Sequence, residues 1–351
     1  MTRQLSFGGA VNEALATALE LDRRVIVCGM GVGDPKNIFG TTSGLKERFG
    51  SQRVFDLPAA ENALMGIAVG AALGGLRPVV THQRLDFFLL AMDQLVNNAA
   101  KWHYTFGKPV PLVVRLIVGR GWGQGPTHSQ SFQSWFAHVP GLKVLMPTLP
   151  GDAKGMLLEA IFDDDPVVWI EHRWLHTTEG AVPEGDYRVP IGKAQLLRRG
   201  DDLTIVASSL MTIEAVRAAE HLERLGCSCD VLDLRTVSPL DWGAVFESVG
   251  RTGRLIVADT GPATLSVAGE IIARVAMERF GSLKAPPRRI ALPDCPVPTS
   301  PSLTAGFYPR ASDIAEAAGA MLGRSFDLTA LRAAENAIPH DVPGAWFKGP
   351  F

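Results

Sequence analysis

The chain has 351 residues and a formal net charge of −2, with 46% hydrophobic and 20% charged residues. This composition is globular and allows two domains, and it excludes a disordered chain and a basic surface for nucleic acid or a membrane. The four cysteines lack the spacing of a zinc site or a disulfide framework and the N-terminus lacks an apolar signal segment, so we predict a cytoplasmic protein.

The first half of the chain alternates short apolar runs with amphipathic segments, which indicates an α/β fold with a parallel sheet. Helical spacing predicts a helix over residues 6–21, and the apolar run 25–28 predicts the first buried strand. Further strands are predicted at 54–56, 79–81, 111–115, 141–147 and 167–170. Further helices are predicted at 44–50, 58–76, 91–104, 132–138 and 152–162.

The stretch from Asp56 to Phe88 has the most distinctive pattern. Pro58 suits the first turn of a helix, which would place the Glu61 carboxylate near the positive end of the helix dipole. Glycine recurs at every fourth position of this helix: Gly66, Gly70 and Gly74. Each glycine costs about 1 kcal/mol relative to alanine in a free helix, so we predict that another backbone packs closely against this stripe. By its position alone, Glu61 is an ordinary first-turn carboxylate.

A glycine-rich segment at residues 119–130 follows the strand predicted at 111–115. Glycine at this density predicts a loop, and loops at the ends of strands commonly carry function. The segment ends in His128-Ser129-Gln130. A single histidine is more often structural than functional, but its place in a glycine-rich loop favours a functional role for His128.

The second half of the chain follows a connector at residues 180–190 that is rich in proline and glycine. Strands are predicted at 203–207, 229–234 and 254–258, and helices at 212–225, 241–249 and 267–280. This strict alternation predicts a second, mostly parallel sheet with helices on both faces.

The spacing of Glu61, Gly66-Ile67 and Gly70-Ala71 resembles the motif of the pyrimidine-binding domain of thiamine diphosphate enzymes. With Asp93-Gln94 and His128-Ser129-Gln130, the chain resembles, over nearly all its length, the beta subunit of the decarboxylating component of 2-oxo acid dehydrogenase complexes. The resemblance implies two doubly wound α/β domains with mostly parallel sheets. The predicted parts are a pyrimidine-binding domain at 1–180, a linker at 181–190, a transketolase C-terminal-like domain at 191–325 and a tail at 326–351.

The resemblance also implies roles for four side chains. Glu61 hydrogen-bonds a ring nitrogen of the aminopyrimidine and controls its protonation, and a carboxylate suits this task when partial burial matches its pKa. Gln83 and Phe87 touch the pyrimidine ring, although the residues alone give Phe87 an equal chance of plain core packing. His128 faces the substrate and stabilises or protonates the reaction intermediate.

Two segments depart from the usual sequence of that family. His82 and Arg84 are polar residues at a place where substrate specificity could change. The segment 171–176, Glu-His-Arg-Trp-Leu-His, also departs, and the sequence does not explain it.

Two metal ions follow from the resemblance. Several family members hold a structural K+ ion, mostly by backbone carbonyls, at the positions of Leu112, Ala160, Ile161, Asp163 and Asp165. Three adjacent acids at 163–165 are otherwise a solvated turn. The Mg2+ and diphosphate site of the family requires Gly-Asp-Gly followed by asparagine, and Gly33-Asp34-Pro35 does not supply it because proline removes a backbone donor.

The chain is therefore predicted to be half of an enzyme that needs an alpha subunit for the diphosphate and Mg2+, in an alpha2-beta2 assembly. The first hypothesis is decarboxylation of a 2-oxo acid with acyl transfer to a lipoyl acyltransferase partner. The second is a two-chain transketolase-like or carboligating enzyme without a lipoyl acceptor. The third is a non-catalytic scaffold subunit, which the intact Glu61 and His128 disfavour.

Overall fold

The computed structural model describes residues 2–33, 38–119, 123–342 and residue 344. Its strands, in chain order, are β1 (Thr2–Ser6), β2 (Val25–Gly29), β3 (Val54–Asp56), β4 (Arg77–His82), β5 (Val113–Val118), β6 (Lys143–Leu145), β7 (Val167–His172), β8 (Glu179–Pro183), β9 (Gln195–Arg198), β10 (Leu203–Ala207), β11 (Cys229–Asp233), β12 (Thr236–Ser238), β13 (Leu255–Pro262) and β14 (Arg288–Leu292). These strands form two mostly parallel sheets and one small antiparallel ribbon, so the predicted doubly wound α/β class is confirmed.

Helices cover both sheets. They are α1 (Phe7–Leu21), α2 (Leu45–Phe49), α3 (Glu61–Leu73), α4 (Leu85–Phe88), α5 (Ala100–Phe106), α6 (Gln133–Ala137), α7 (Pro150–Phe162), α8 (Leu210–Arg224), α9 (Trp242–Thr252), α10 (Val267–Glu278), α11 (Pro301–Thr304), α12 (Ala311–Leu322) and α13 (Thr329–Asn336). Short 3-10 turns lie at Leu89–Ala91, Arg173–Leu175 and Phe280–Ser282, and a π-helical segment spans Gln94–Ala99. Within the described ranges, no helix has both the length and the apolar character that crossing a bilayer requires.

The larger sheet has seven strands in the order β12-β6-β7-β5-β4-β2-β3. The pairs from β6 to β3 are parallel, and β12 alone is antiparallel, against β6. Every residue of β5 and of β7 is buried, because helices cover both faces of the sheet, and this explains their long apolar runs. Two buried residues of these strands are charged, Arg115 on β5 and Glu171 on β7.

The smaller sheet has the order β14-β13-β10-β11-β9, with β9 antiparallel. It forms the centre of the second half of the chain, as predicted. The two halves are joined by β12, which follows β11 in sequence but pairs with the first sheet. A partly buried ion pair reinforces this junction, with Arg235 Nη2 placed 2.6 Å from Asp152 Oδ1.

Several local predictions were wrong at their edges. Pro58 does not lie in the first turn of α3, because the Ala60 amide donates to the Pro58 carbonyl at 2.7 Å and closes a turn before the helix begins at Glu61. The helix predicted at 91–104 is divided between the π-helical segment and α5. Strand β8 occupies residues 179–183, where a connector was expected, and pairs with the unpredicted strand β1.

Candidate active site

The residues predicted to be catalytic or to bind the cofactor follow the carboxyl edge of the seven-stranded sheet, whereas the five predicted K+ ligands precede β5 and β7 at the opposite edge. Parallel strands β2, β3, β4 and β5 all end at the carboxyl edge. The segment after β3 leads to Glu61, Gln83 follows β4 directly, and the glycine-rich loop follows β5. In open parallel sheets, ligands bind at the carboxyl ends of the strands, so the topology alone places these groups where a ligand is expected.

Glu61 is the first residue of α3 and is half-buried. At this position it lies at the N-terminal end of the helix, where the first backbone amides have no acceptor within the helix. Among the described residues, no side chain or amide forms a hydrogen bond or an ion pair with this carboxylate. Glu61 is therefore a hydrogen-bond acceptor that the described chain leaves free for a ligand.

Phe87 and His128 are in direct contact. Phe87 lies on α4 and His128 in the loop after β5, and their ring centroids are 5.3 Å apart with the planes at 86°. Both side chains are half-buried. The Thr127 hydroxyl lies 3.1 Å from His128 Nδ1, so Nε2 is the ring nitrogen left to act on a substrate. No hydrogen bond or ring contact within the described residues joins Glu61 or Gln83 to this pair.

This arrangement fits the pyrimidine half of the predicted cofactor. A free carboxylate, an aromatic ring and an amide at one sheet edge are the groups that an aminopyrimidine requires. Within the described residues, no cluster of three or more histidine, cysteine or acidic side chains could hold a metal ion. Gly33 is described, but Asp34 and Pro35 of the rejected motif lie outside the described residues.

The five residues predicted to hold K+ lie together, but their oxygens already accept hydrogen bonds. Arg77 Nη1 donates to the carbonyls of Ile161 (3.2 Å) and Asp163 (2.9 Å). Backbone amides donate to the carbonyls of Leu112 and Ala160. Lys143 Nζ lies 2.7 Å from the Asp163 carboxylate and 3.2 Å from that of Asp165. A K+ ion here would share its ligands with two cationic side chains, and the site stays a prediction.

His82 does not lie where it could contact a substrate. Its side chain is completely buried at the end of β4, with its ring edge-on to Phe88 at a centroid distance of 4.9 Å. Neither ring nitrogen has a hydrogen-bond partner among the described residues. Burial lowers the pKa of His82 to about 4, so the imidazole is neutral in the folded protein at physiological pH.

This burial predicts a pH-dependent loss of stability that His82→Phe removes. In the unfolded chain the imidazole takes up a proton near pH 6.5, and in the folded chain only near pH 4, so stability attributable to His82 falls as pH decreases through this window. Between pH 7.5 and pH 5 we expect the free energy of unfolding to fall by about 2 kcal/mol more in the wild type than in His82→Phe, which has no imidazole at this position. Urea unfolding at both pH values measures the difference. The exposed His138, replaced by glutamine, is the control and is expected to behave as wild type.

The unexplained segment 171–176 forms a buried ionic network. Arg115 Nη2 donates to Glu171 Oε1 at 2.7 Å, and both side chains are completely buried. Trp169 Nε1 donates to Glu171 Oε2 at 2.8 Å, and His176 Nε2 lies 3.3 Å from Oε1. Burial raises the pKa of Glu171, but the Arg115 charge and these neighbours outweigh it and bring the pKa to about 2. The segment therefore stabilises the sheet beneath the site.

Sequence reasoning missed the contacts that hold the glycine-rich loop. Arg84 Nη1 donates to the Gly119 carbonyl at 2.9 Å and Nη2 to Gln124 Oε1 at 2.6 Å. Asp86 Oδ1 accepts from Gln130 Nε2 at 2.6 Å. The available signal was the pair of charged residues between a buried strand and the aromatic Phe87, but no local pattern gives their partners some 40 residues later.

Comparisons with known proteins agree with this architecture. The pyrimidine-binding domain of transketolase matches residues 3–177, and the C-terminal domain of transketolase matches residues 192–314. A solved structure of a split-gene transketolase, an inactive beta4 tetramer, superposes with a TM-score of 0.74 at 21% identity and covers 91% of this chain and 98% of that one. This likeness supports the fold.

Curated relatives are similar over almost their whole length. The beta subunit of acetoin:2,6-dichlorophenolindophenol oxidoreductase from Cupriavidus necator is 42% identical, covering 91% of this chain and 97% of the relative. The 2-oxoisovalerate dehydrogenase subunit beta of Bacillus subtilis is 41% identical, with 86% and 94% covered. The pyruvate dehydrogenase E1 component subunit beta of Bacillus subtilis is 38% identical, with 91% and 99% covered.

Proposed function

This chain belongs to the transketolase-like family that includes the beta subunits of thiamine diphosphate-dependent 2-oxo acid dehydrogenases, and we propose that it is such a beta subunit, which decarboxylates a 2-oxo acid together with an alpha subunit. The observation that carries the proposal is the free Glu61 carboxylate at the start of α3, at the same sheet edge as the Phe87–His128 pair. An acceptor, an aromatic ring and a proton donor are the groups this chemistry needs from the protein.

Each residue has a separate task in this proposal. Thiamine diphosphate, when bound, supplies the electron sink for loss of carbon dioxide. Glu61 would share a proton with a ring nitrogen of the pyrimidine, donating it when the carboxyl is protonated and accepting the hydrogen bond when the ring is. Phe87 and Gln83 would contact the ring, through an aromatic face and a side-chain amide. His128 Nε2 delivers or removes a proton on the substrate side, since Nδ1 is engaged by Thr127.

The proposal requires an alpha subunit that holds the diphosphate and Mg2+, because this sequence lacks the Gly-Asp-Gly motif that the family uses for them. The outer face of α3 supports such a partner. Ile67 is 59% exposed there, and nothing lies within 4 Å of the position that a side chain at Gly70 would occupy. The atoms nearest to a side chain at Gly66 belong to the Gln94 side chain, and those at Gly74 are carbonyls of the same helix, so a close backbone from another segment would have to come from a partner subunit. We propose an alpha2-beta2 assembly.

A second candidate keeps the cofactor and changes the reaction. The relative from Cupriavidus necator is named for acetoin, a ketol, and not for a 2-oxo acid. This observation favours a carboligating or ketol-cleaving enzyme, and it leaves open whether a lipoyl acyltransferase receives the product.

Co-expression with an alpha-like chain that carries the diphosphate motif tests the proposal. We expect thiamine diphosphate and Mg2+ to bind tightly, in isothermal titration, only when both chains are present. A panel of 2-oxo acids should then release carbon dioxide, and a lipoyl domain should become acylated.

The possible results separate the candidates. Cofactor binding with cleavage of acetoin but no carbon dioxide release would favour the ketol reaction. Decarboxylation without acylation of the lipoyl domain would remove the acyltransferase from the proposal. No binding by the assembled pair would contradict both candidates and leave the scaffold hypothesis.

A further inference from the structure

We propose that Arg84 and Asp86 are positioning residues that hold the histidine loop (residues 123–130) and thereby place His128 against Phe87. The inference rests on the proposed function, because it assigns these residues to the same reaction. Neither residue has to touch the cofactor or the substrate to act. Both lie in the short connection between β4 and Phe87, on either side of a single intervening residue.

Arg84 binds the loop on its N-terminal side. Its side chain is 3% exposed, and its two terminal nitrogens donate to the Gly119 carbonyl and to Gln124 Oε1. Gln124 lies four residues before His128. Burial lowers the pKa of Arg84 to about 10, so the guanidinium remains charged at neutral pH and its hydrogen bonds are charge-assisted.

Asp86 binds the loop on the other side of His128. Its Oδ1 accepts from the Gln130 side chain at 2.6 Å and from the Gln130 amide at 3.4 Å. Gln130 lies two residues after His128. Arg84 and Asp86 therefore form hydrogen bonds with the loop on both sides of His128. Phe87, which follows Asp86, contacts the His128 ring.

The histidine loop needs these hydrogen bonds because it has no regular secondary structure of its own. Residues 123–132 form neither helix nor strand, so no ladder of backbone hydrogen bonds fixes the position of the imidazole. On its outer side the loop packs closely against Thr299, since a side chain at Gly125 (φ +66°) would collide with the Thr299 hydroxyl. Side-chain bonds from α4 and its preceding turn complete the enclosure.

Arg84 acts through the loop because its burial and its two hydrogen bonds leave it no room to bind substrate. A displacement of a catalytic group by about 1 Å can cost roughly 100-fold in rate. Loss of the hydrogen bonds from Arg84 or Asp86 to the loop should therefore lower kcat, while substrate affinity changes little.

The test uses the assembled two-chain enzyme with Arg84→Met and Asp86→Ala. We expect each variant to lower kcat about 10- to 100-fold with KM nearly unchanged. Arg84→Lys, which can still donate to one acceptor, should recover part of the loss. Asp86→Asn keeps the acceptor oxygen and should behave much as wild type.

A second measurement does not depend on turnover. Diethyl pyrocarbonate modifies accessible imidazoles, and mass spectrometry gives the ratio of modification at His128 to that at the exposed His138. A loosened loop should raise this ratio several-fold in Arg84→Met and Asp86→Ala. Arg53→Met is the matched control, because Arg53 donates to three backbone carbonyls far along the chain from the histidine loop. It should lose stability without a change in the ratio or in kcat.

Unchanged kcat and unchanged modification ratio in Arg84→Met and Asp86→Ala would overturn the inference. The inference also fails if Arg53→Met alters both quantities equally, since the effect would then be general destabilisation. If Arg84→Met fails to assemble, Asp86→Ala decides, because it releases the opposite end of the loop. An inactive wild-type pair would contradict the proposed function, and the modification ratio would still test the hydrogen bonds that position His128.

Discussion

Replacing Glu61 by glutamine is expected to lower turnover of the assembled enzyme roughly 10²- to 10⁴-fold, the range of general acid–base catalysis. Glutamine has the same size but cannot take up or release a proton at the pyrimidine ring. The fold should not suffer, because the Glu61 carboxylate has no partner among the described residues. Carbon dioxide release at saturating substrate measures the loss, and thermal unfolding of the variant verifies that the structure is intact.

The matched control is Glu47→Gln. Glu47 is also a first-turn carboxylate, at the start of α2, and it is exposed. The control should keep wild-type turnover, so the comparison separates the site of Glu61 from a general helix-dipole effect. Turnover of Glu61→Gln within about tenfold of wild type would show that this carboxylate does not perform the acid–base step.

Replacing Arg115 by methionine is expected to lower the apparent free energy of unfolding by about 3–5 kcal/mol. The change removes the guanidinium that donates to the completely buried Glu171, which keeps Trp169 and His176 as close neighbours. With Arg115 gone, the pKa of Glu171 should rise from its value of about 2. Because a buried carboxyl with a raised pKa is less costly when it is protonated, the difference in unfolding free energy between the variant and the wild type should be smaller at low pH than at high pH. Urea unfolding followed by circular dichroism, at pH 5 and pH 8, measures both effects.

The double variant Arg115→Met with Glu171→Leu should recover most of this loss, because it leaves no buried charge unpaired. Arg48→Met removes the cation of an exposed pair, Arg48 with Glu20, and should cost less than about 1 kcal/mol. An Arg115→Met variant as stable as this control would contradict the assignment of residues 171–176 to a stabilising network.

The sequence determined the class of the fold because the central strands are apolar at most positions. Strands β5 and β7 are buried on both faces, so they lack the alternation of apolar and polar residues that a half-exposed strand shows, and their charged residues Arg115 and Glu171 pair with each other. The alternation of these runs with amphipathic segments then predicted helices on both sides of two sheets. The spacing of Glu61 and its glycines, together with the His128-Ser129-Gln130 motif, indicated the candidate site through its resemblance to thiamine diphosphate enzymes.

Helix boundaries were predicted less well because local signals compete. Proline is compatible with a first helical turn and equally with a turn before the helix, and at Pro58 the second arrangement occurs. The π-helical segment at Gln94–Ala99 interrupts a pattern that is helical in sequence, and periodicity does not distinguish the two helix types.

Only the tertiary structure decided which residues meet across long separations. β1 pairs with β8, and β12 leaves its own half of the chain to pair with β6. Arg115 and Glu171 look like misplaced charges until their strands lie side by side. Arg84 and Asp86 have no partner in local sequence, because the glycine-rich loop returns to them from the neighbouring strand. Local periodicity encodes which face of a helix or strand is buried. The complete fold sets which elements pack together, and this determines which buried side chains come into contact.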